Sequence, residues 1–299
     1  MDFPEQDMEL LPYRPPYRWE EMLRFLAGRT IPGVEIVANN EYLRTVHLQN
    51  AKNERVHGWV RVSHAPKKNA LTVTMNEALL PVLPQVLAKV RHAFDLDCDP
   101  KTVYKTLAPM NDICPGLCVL GIRLPGSFNV FETAVMAVLG QQITVKAART
   151  LAGRLVNAFG APMQTSVEGL TRVFPSPENM LALKDPIENH LGPLGIIATR
   201  ARAIHALAKA IVQGEIDLDH CDQPEAEMKK LMSIPGIGSW TAQYIAMRTM
   251  KYTDAFLEKD VGVKKALQQD SPKELLKLAE AWRSWRSYAT INLWNSLKT

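Results

Sequence analysis

The chain has 299 residues, 46% hydrophobic and 22% charged, an ordinary globular composition whose length suits two domains or three small ones. No run approaches the roughly 18 apolar residues of a membrane span. Asp2, Glu5, Asp7 and Glu9 argue against a signal peptide, and four scattered cysteines against a secreted disulfide scaffold. The net charge of +4 is unevenly placed. Residues 1–100 and 101–228 each carry −1, whereas residues 229–299 hold 12 Lys/Arg against 6 Asp/Glu. Such an excess suits a polyanion-facing surface, and a plain solvated face looks the same.

In chain order, a short helix is predicted over 19–26. Segments 34–38, 43–48, 56–63 and 71–75 follow, β-branched or aromatic at period two, with breaks at 39–40, 50–53 and 66–69. These connections are too short for crossover helices, so the sheet is expected to be antiparallel. A helix is predicted over 76–94, apolar at Leu79, Leu83, Val86, Leu87 and Val90, with Pro81 and Pro84 delaying its start. Beyond Asp99-Pro100 the strand signal vanishes. Residues 130–159, 200–213, 225–232 and 240–250 have helical spacing. Ser271-Pro272-Lys273-Glu274 opens a last helix with an N-cap, a first-position proline and a capping box.

The most informative segment is Ser233-Ile234-Pro235-Gly236-Ile237-Gly238-Ser239-Trp240-Thr241, flanked by two amphipathic helices. Gly236 and Gly238 permit unusual backbone angles and close approach of a ligand. The second helix opens with unpaired N–H groups and its positive dipole end, an arrangement suited to one phosphate. A simple packing corner would use the same residues. Twenty positions past Trp240, Asp260 stands at the start of another helix, where it suits an N-cap and equally a carboxylate kept ionised.

With these features in place the chain resembles the helix-hairpin-helix DNA glycosylases, and among them the 3-methyladenine DNA glycosylase II, or AlkA, type. Pro15-Pro16-Tyr17, Phe25-Leu26-Ala27, Phe94-Asp95-Leu96, residues 121–126 (GIRLPG), Leu139-Gly140-Gln141, the hairpin and Trp285-Arg286-Ser287-Tyr288-Ala289 carry the resemblance, which covers nearly the whole chain. The fold it implies is α+β. Residues 1–99 form an α/β domain with an antiparallel sheet. Residues 131–250 form one helical subdomain, with the helix-hairpin-helix at 226–250. Residues 100–130 and 251–299 form a second, which carries the acidic residue.

The resemblance implies a monofunctional enzyme that flips out and excises alkylated bases from double-stranded DNA, 3-methyladenine and 7-methylguanine among them, leaving an abasic site. Asp260 would be its catalytic carboxylate. Trp240, Tyr244, Trp294, Phe25 and Gln141 would form the base pocket. Gly236, Ile237, Gly238 and Thr241 would meet DNA phosphate, with Gln142 beside the vacated stack. Trp240 occupies the place where bifunctional relatives carry a nucleophilic lysine, and an indole forms no Schiff base. Gln142 replaces a family leucine, and Val261 a family tyrosine. Backbone carbonyls of Met232, Ile234 and Ile237 would hold a monovalent cation, Na or K. No cysteine follows Cys221, so no iron–sulfur cluster is expected, and no cofactor is required. A monomer inside the cell, cytoplasmic or at the nucleoid in a bacterium, with no membrane association, completes the expectation. Two alternatives stand beside it: a glycosylase for oxidised or deaminated bases, and a non-catalytic DNA-binding module.

Overall fold

The computed structural model describes residues 8–184 and 186–297. Residues 1–7, where Asp2, Glu5 and Asp7 bear on the signal-peptide reading, lie outside the described residues. No described helix is long and apolar enough to cross a membrane.

Strand β1 (Met8–Pro12) leads to helix α1 (Trp19–Ala27), then β2 (Glu35–Ala38), β3 (Glu41–Gln49), β4 (Arg55–Ala65), β5 (Ala70–Met75) and α2 (Leu83–Ala93). The strands form one antiparallel sheet in the order β1-β5-β4-β3-β2. Four of them coincide with the alternating segments, because one face must be buried. Val46, Val60, Val62, Leu71 and Val73 are buried in the same cluster as Val86 and Val90 of α2 and Trp19, Met22 and Leu23 of α1. The sequence reading missed β1, an edge strand whose first three residues are exposed and which therefore lacks an alternating signal. The helix expected from residue 76 is a 3₁₀ turn, Glu77–Val82, before α2 begins, as Pro81 and Pro84 require.

The remaining elements are helical: α3 (Pro100–Leu107), α4 (Met110–Ile113), α5 (Val130–Leu139), α6 (Val145–Phe159), α7 (Pro177–Leu181), α8 (Ile187–Leu191), α9 (Ala198–Val212), α10 (Pro224–Ser233), α11 (Ser239–Thr249), α12 (Val261–Leu267), α13 (Pro272–Ala279) and α14 (Arg286–Ser296). The helical stretch expected over 130–159 is in fact two helices. The chain breaks after Leu139, passes through Gln142 in the left-handed region (φ 55°), and restarts where the Thr144 side chain accepts from the Ala147 N–H. Hydrophobic spacing continues across the break, which is why the pattern hid it. At α13, Ser271 accepts from the Glu274 N–H, but its own N–H is taken by Gln269 Oε1 at 3.0 Å, so only half of the expected capping box forms.

One apolar cluster runs through the helices of both C-terminal parts. It holds Leu139 of α5, Ala242 and Ile245 of α11, Val263 of α12 and Leu293 of α14, and it takes in Phe25, Ile31 and Val34 from the N-terminal part. The end of α1 is thereby fixed against α14.

Candidate active site

Residues of the N-terminal sheet domain and of α5, α11, α12 and α14 meet at a cleft of about 1140 Å³. Asp260 lies at its wall, on the first position before α12. Its Oδ1 accepts from the Val263 N–H at 3.0 Å, an N-cap bond, and from Trp294 Nε1 at 2.8 Å. Its Oδ2 accepts from Trp240 Nε1 at 3.1 Å. Two indoles from different helices thus clamp one carboxylate and fix its orientation. Bonds from neutral donors to a charged acceptor contribute roughly 1.5–3 kcal/mol each. The capping reading of Asp260 is met, and the same side chain faces the cleft.

Gly262 makes the clamp possible. A Cβ there would stand 2.8 Å from Trp294 Cδ1 and 3.0 Å from Asp260 Oδ1, inside van der Waals contact with both. The sequence reading passed over this residue. A glycine two positions after the helix-opening acid was the available signal.

Trp240 and Tyr244, four apart on α11, stack with centroids 5.3 Å apart at 10°. Tyr244 lies 6.3 Å from Trp294. All three line the cleft. Phe25 does not. It is 1% exposed and stacks behind Trp294 at 6.3 Å, so it supports the aromatic wall from the core side. Two arginines accompany the rings, and neither was anticipated. Arg248 donates to Tyr244 Oη (2.7 Å) and to the carbonyls of Pro125 (2.6 Å) and Gly126 (2.9 Å). Arg29 lies with Cζ 3.7 Å from the Phe25 ring centroid. Burial alone would raise the Tyr244 pKa, but the charges of Arg248 and Arg29 outweigh it and bring the phenol below its ordinary value. Each arginine follows an aromatic by four residues, a spacing that would have pointed to them.

Farther along the same cleft, Arg44 donates to Glu132 Oε2 at 2.7 Å and approaches Glu35 to 3.6 Å, all three largely buried. One guanidinium serves two carboxylates. Burial, with the charge of Glu35 added, pushes Glu132 up to about 7 against the opposing pull of Arg44.

Between α10 and α11, Ile234 and Ile237 point into the core while Pro235, Gly236 and Gly238 are exposed. Gly236 has φ +93°, and a Cβ there would sit 3.3 Å from Ala203 Cβ. At Gly238 a Cβ would meet nothing within 4 Å. No side chain caps α11, so its first N–H groups remain open to a partner from outside the chain. Thr241 is buried and accepts from Gln141 Nε2 at 2.9 Å. The same nitrogen donates to the Gly236 carbonyl at 2.8 Å. Gln141 was expected beside a flipped base. Its amide is committed to the hairpin, although the residue lines the cleft. Gln142, next to it, is exposed at the cleft mouth. Val261 is also on the rim and 78% exposed, unusual for a valine. Of the carbonyl positions singled out at the hairpin, that of Ile234 closes the turn by accepting from the Ile237 N–H at 3.0 Å.

Known proteins agree with this architecture. The AlkA N-terminal domain family matches residues 8–129, and the HhH-GPD superfamily base excision DNA repair protein family matches residues 135–282. The chain is 35% identical to the DNA-3-methyladenine glycosylase 2 of Escherichia coli (strain K12), over 96% of both chains. It is also 35% identical to a probable bifunctional transcriptional activator/DNA repair enzyme AlkA of Mycobacterium tuberculosis, covering 96% of this chain and 56% of that protein. Among solved structures, a 3-methyladenine DNA-glycosylase from Archaeoglobus fulgidus superposes with a TM-score of 0.78 at 21% identity, covering 97% of this chain and 98% of that one; at this identity the likeness is one of fold. With both family models matched in order and the Escherichia coli relative covered over 96% of its length, the chain belongs to the HhH-GPD superfamily of base excision DNA repair proteins, in the branch that carries an AlkA N-terminal domain.

Proposed function

We propose that the protein is a monofunctional DNA N-glycosylase that flips alkylated bases out of the duplex and excises them, leaving an abasic site. The observation that carries this reading is Asp260, clamped by Trp240 and Trp294 in the wall of an aromatic cleft. A flipped nucleotide entering the cleft presents C1′ to this carboxylate. As the glycosidic bond breaks, positive charge develops on the sugar. A fixed anion stabilises that charge without reorganising at the moment of reaction. An alkylated ring nitrogen already makes the base a good leaving group, so no strong general acid is needed. The rings of Trp240, Tyr244 and Trp294 attract electron-poor cationic bases by stacking and cation–π contact.

The hairpin grips the DNA backbone. Because the fold leaves open space at Gly238, the glycine there answers to something outside the chain, and a phosphate approaching the uncapped start of α11 fits. A single monovalent cation on the carbonyls of Met232, Ile234 and Ile237 belongs to the same proposal. A donor set of carbonyl oxygens without a carboxylate suits a singly charged hard ion, which would brace the turn against phosphate. Trp240 supplies no amine for a Schiff base, so strand cleavage is not expected. The protein acts as a monomer on double-stranded DNA and needs no iron–sulfur cluster.

The test is release of bases from alkylated DNA by the wild type and Asp260→Asn. 3-Methyladenine and 7-methylguanine are expected from the wild type, and a loss of about 10²–10³-fold in the variant with DNA binding retained. A variant as active as the wild type overturns the mechanism, and a borohydride-trapped covalent adduct overturns the monofunctional assignment.

A further inference from the structure

Two histidines on the sheet, neither of them lining the cleft, stand directly opposite each other. His47 of β3 and His57 of β4 are cross-strand partners, joined through the turn at 50–54. Two positions along β4, the Trp59 carbonyl accepts from the Asn76 N–H at 3.2 Å, and the Trp59 N–H donates to Asn76 Oδ1 at 3.3 Å, both on the side away from β3. Two positions back along β3, the Thr45 N–H turns from β4 to the Val34 carbonyl at 2.9 Å. Backbone polar groups alternate sides along a strand, so His47 and His57 form a non-hydrogen-bonded pair, the kind whose side chains lie closer. Their rings stack with centroids 4.6 Å apart at 10°. Neither ring has a hydrogen-bond partner among the described residues, whereas His64 meets Tyr13 Oη at 2.7 Å and His92 meets the Arg248 carbonyl at 3.4 Å.

Both rings are half-buried. For His47, burial, then the charges of His57 and Arg55, lower the pKa against an opposing pull from Glu178; for His57, burial and then Arg55 lower it. The two imidazoles are therefore neutral at neutral pH, the state that offers a lone pair to a metal ion. Two nitrogens at about 2.0–2.1 Å from one ion lie roughly 3 Å apart, a spacing that rotation about χ2 reaches from a stack this close. We propose that His47 and His57 chelate one divalent transition ion of borderline softness, Zn²⁺ or Cu²⁺, with water completing its coordination. No third His, Cys, Asp or Glu joins the group among the described residues, so the site binds as a two-nitrogen chelate, more weakly than a structural zinc centre. Glu178 of α7, exposed and without a hydrogen bond or ion pair, supplies negative charge nearby. Arg55, the cation on the same face, is exposed, and solvent and salt screen its repulsion. The bound ion pins β3 to β4 near the end of their hairpin, and the site stands whether or not the glycosylase reading holds.

The full chain is titrated with Zn²⁺ by calorimetry and with Cu²⁺ by electron paramagnetic resonance, as wild type, His47→Asn, His57→Asn and His220→Asn. His220, beside Asp217, Asp219 and Cys221 in the loop before α10, is the control for adventitious binding elsewhere. One ion per chain is expected in the wild type and in His220→Asn. His47→Asn and His57→Asn should each weaken binding about tenfold or more. The copper spectrum should show two coordinated nitrogens in the wild type and one in each single variant of the pair. Zn²⁺ should also raise the melting temperature of the wild type and not that of His47→Asn. Should a variant of the pair fail to fold, the nitrogen count of the wild type and the His220→Asn titration decide. Binding unchanged in His47→Asn or His57→Asn, a single nitrogen in the wild type, or binding lost in His220→Asn overturns the proposal.

Discussion

On the proposed reading, Asp260 joins folding to chemistry in one side chain. Its Oδ1 caps α12 and its two oxygens together take the N–H groups of Trp240 and Trp294, so the carboxylate cannot rotate without breaking a bond. Trp240→Phe and Trp294→Phe keep most of the ring and remove that N–H. Each is expected to reduce the rate of base release by about tenfold, with DNA affinity nearly unchanged, as measured by single-turnover kinetics beside a binding titration. Equal losses in rate and affinity would show that the rings act only as a stacking surface. Trp240 and Asp260 were legible from their places after the hairpin, and Trp294 from the family resemblance alone. Their mutual bonds were not, because sequence gives a ring's position on a helix and not the direction of its edge. Arg29 and Arg248 escaped for a related reason. Charged residues read as solvent-facing until a fold closes over them.

At the scale of elements, the α10–hairpin–α11 unit and α12 each depend on a glycine for a different reason. At Gly238 the fold has room for a methyl group, whereas at Gly262 it does not. Gly238→Ala should therefore leave the melting temperature within a degree or two while weakening DNA binding several-fold. Gly262→Ala should push Trp294 from Asp260 and lower excision by about tenfold or more, with binding retained. Thermal melts, titrations and kinetics on both variants check the contrast, and it fails if the two behave alike. The hairpin was legible because a left-handed glycine beside proline is a local signal. The break between α5 and α6 was not. Gly140 and Gln142 sit between apolar residues that keep helical spacing, and the left-handed backbone of Gln142 has no signal in that spacing.

For the whole molecule, buried polar contacts join distant segments beside the shared apolar cluster. Arg123, 3% exposed, donates to the carbonyls of Arg14, Pro16, Asp95 and Cys98. Asp95 Oδ2 accepts from the Leu124 N–H (3.0 Å) and from Tyr288 Oη of α14 (2.9 Å). Burial pushes Asp95 up to about 6, from 3.8, even though both donors and Arg123 pull it down. The folded chain holds this proton more tightly than the unfolded one. The associated stability is therefore complete below the unfolded pKa and is lost as pH rises through about 6. Asp95→Asn removes that dependence. In urea unfolding at pH 4 and pH 7.5, the variant should gain on the wild type by about 2 kcal/mol from the lower to the higher pH. A constant difference would refute the assignment. The sequence showed which motifs recur here, Phe94-Asp95-Leu96 and residues 121–126 among them, but not that they touch each other. That contact spans 29 positions, and the one to Tyr288 spans 193.

The hairpin is built from consecutive residues, while the proposed centre gathers positions 240, 260 and 294 around one cleft, with both tryptophans packed against the shared apolar cluster. Local turns form early, and long-range closures wait for the loops between them. On the proposed reading, an immature or partly opened chain grips a duplex before it is able to sever a base. The order of assembly is then itself a safeguard, since the capacity to damage sound DNA arrives only with the last of the folding.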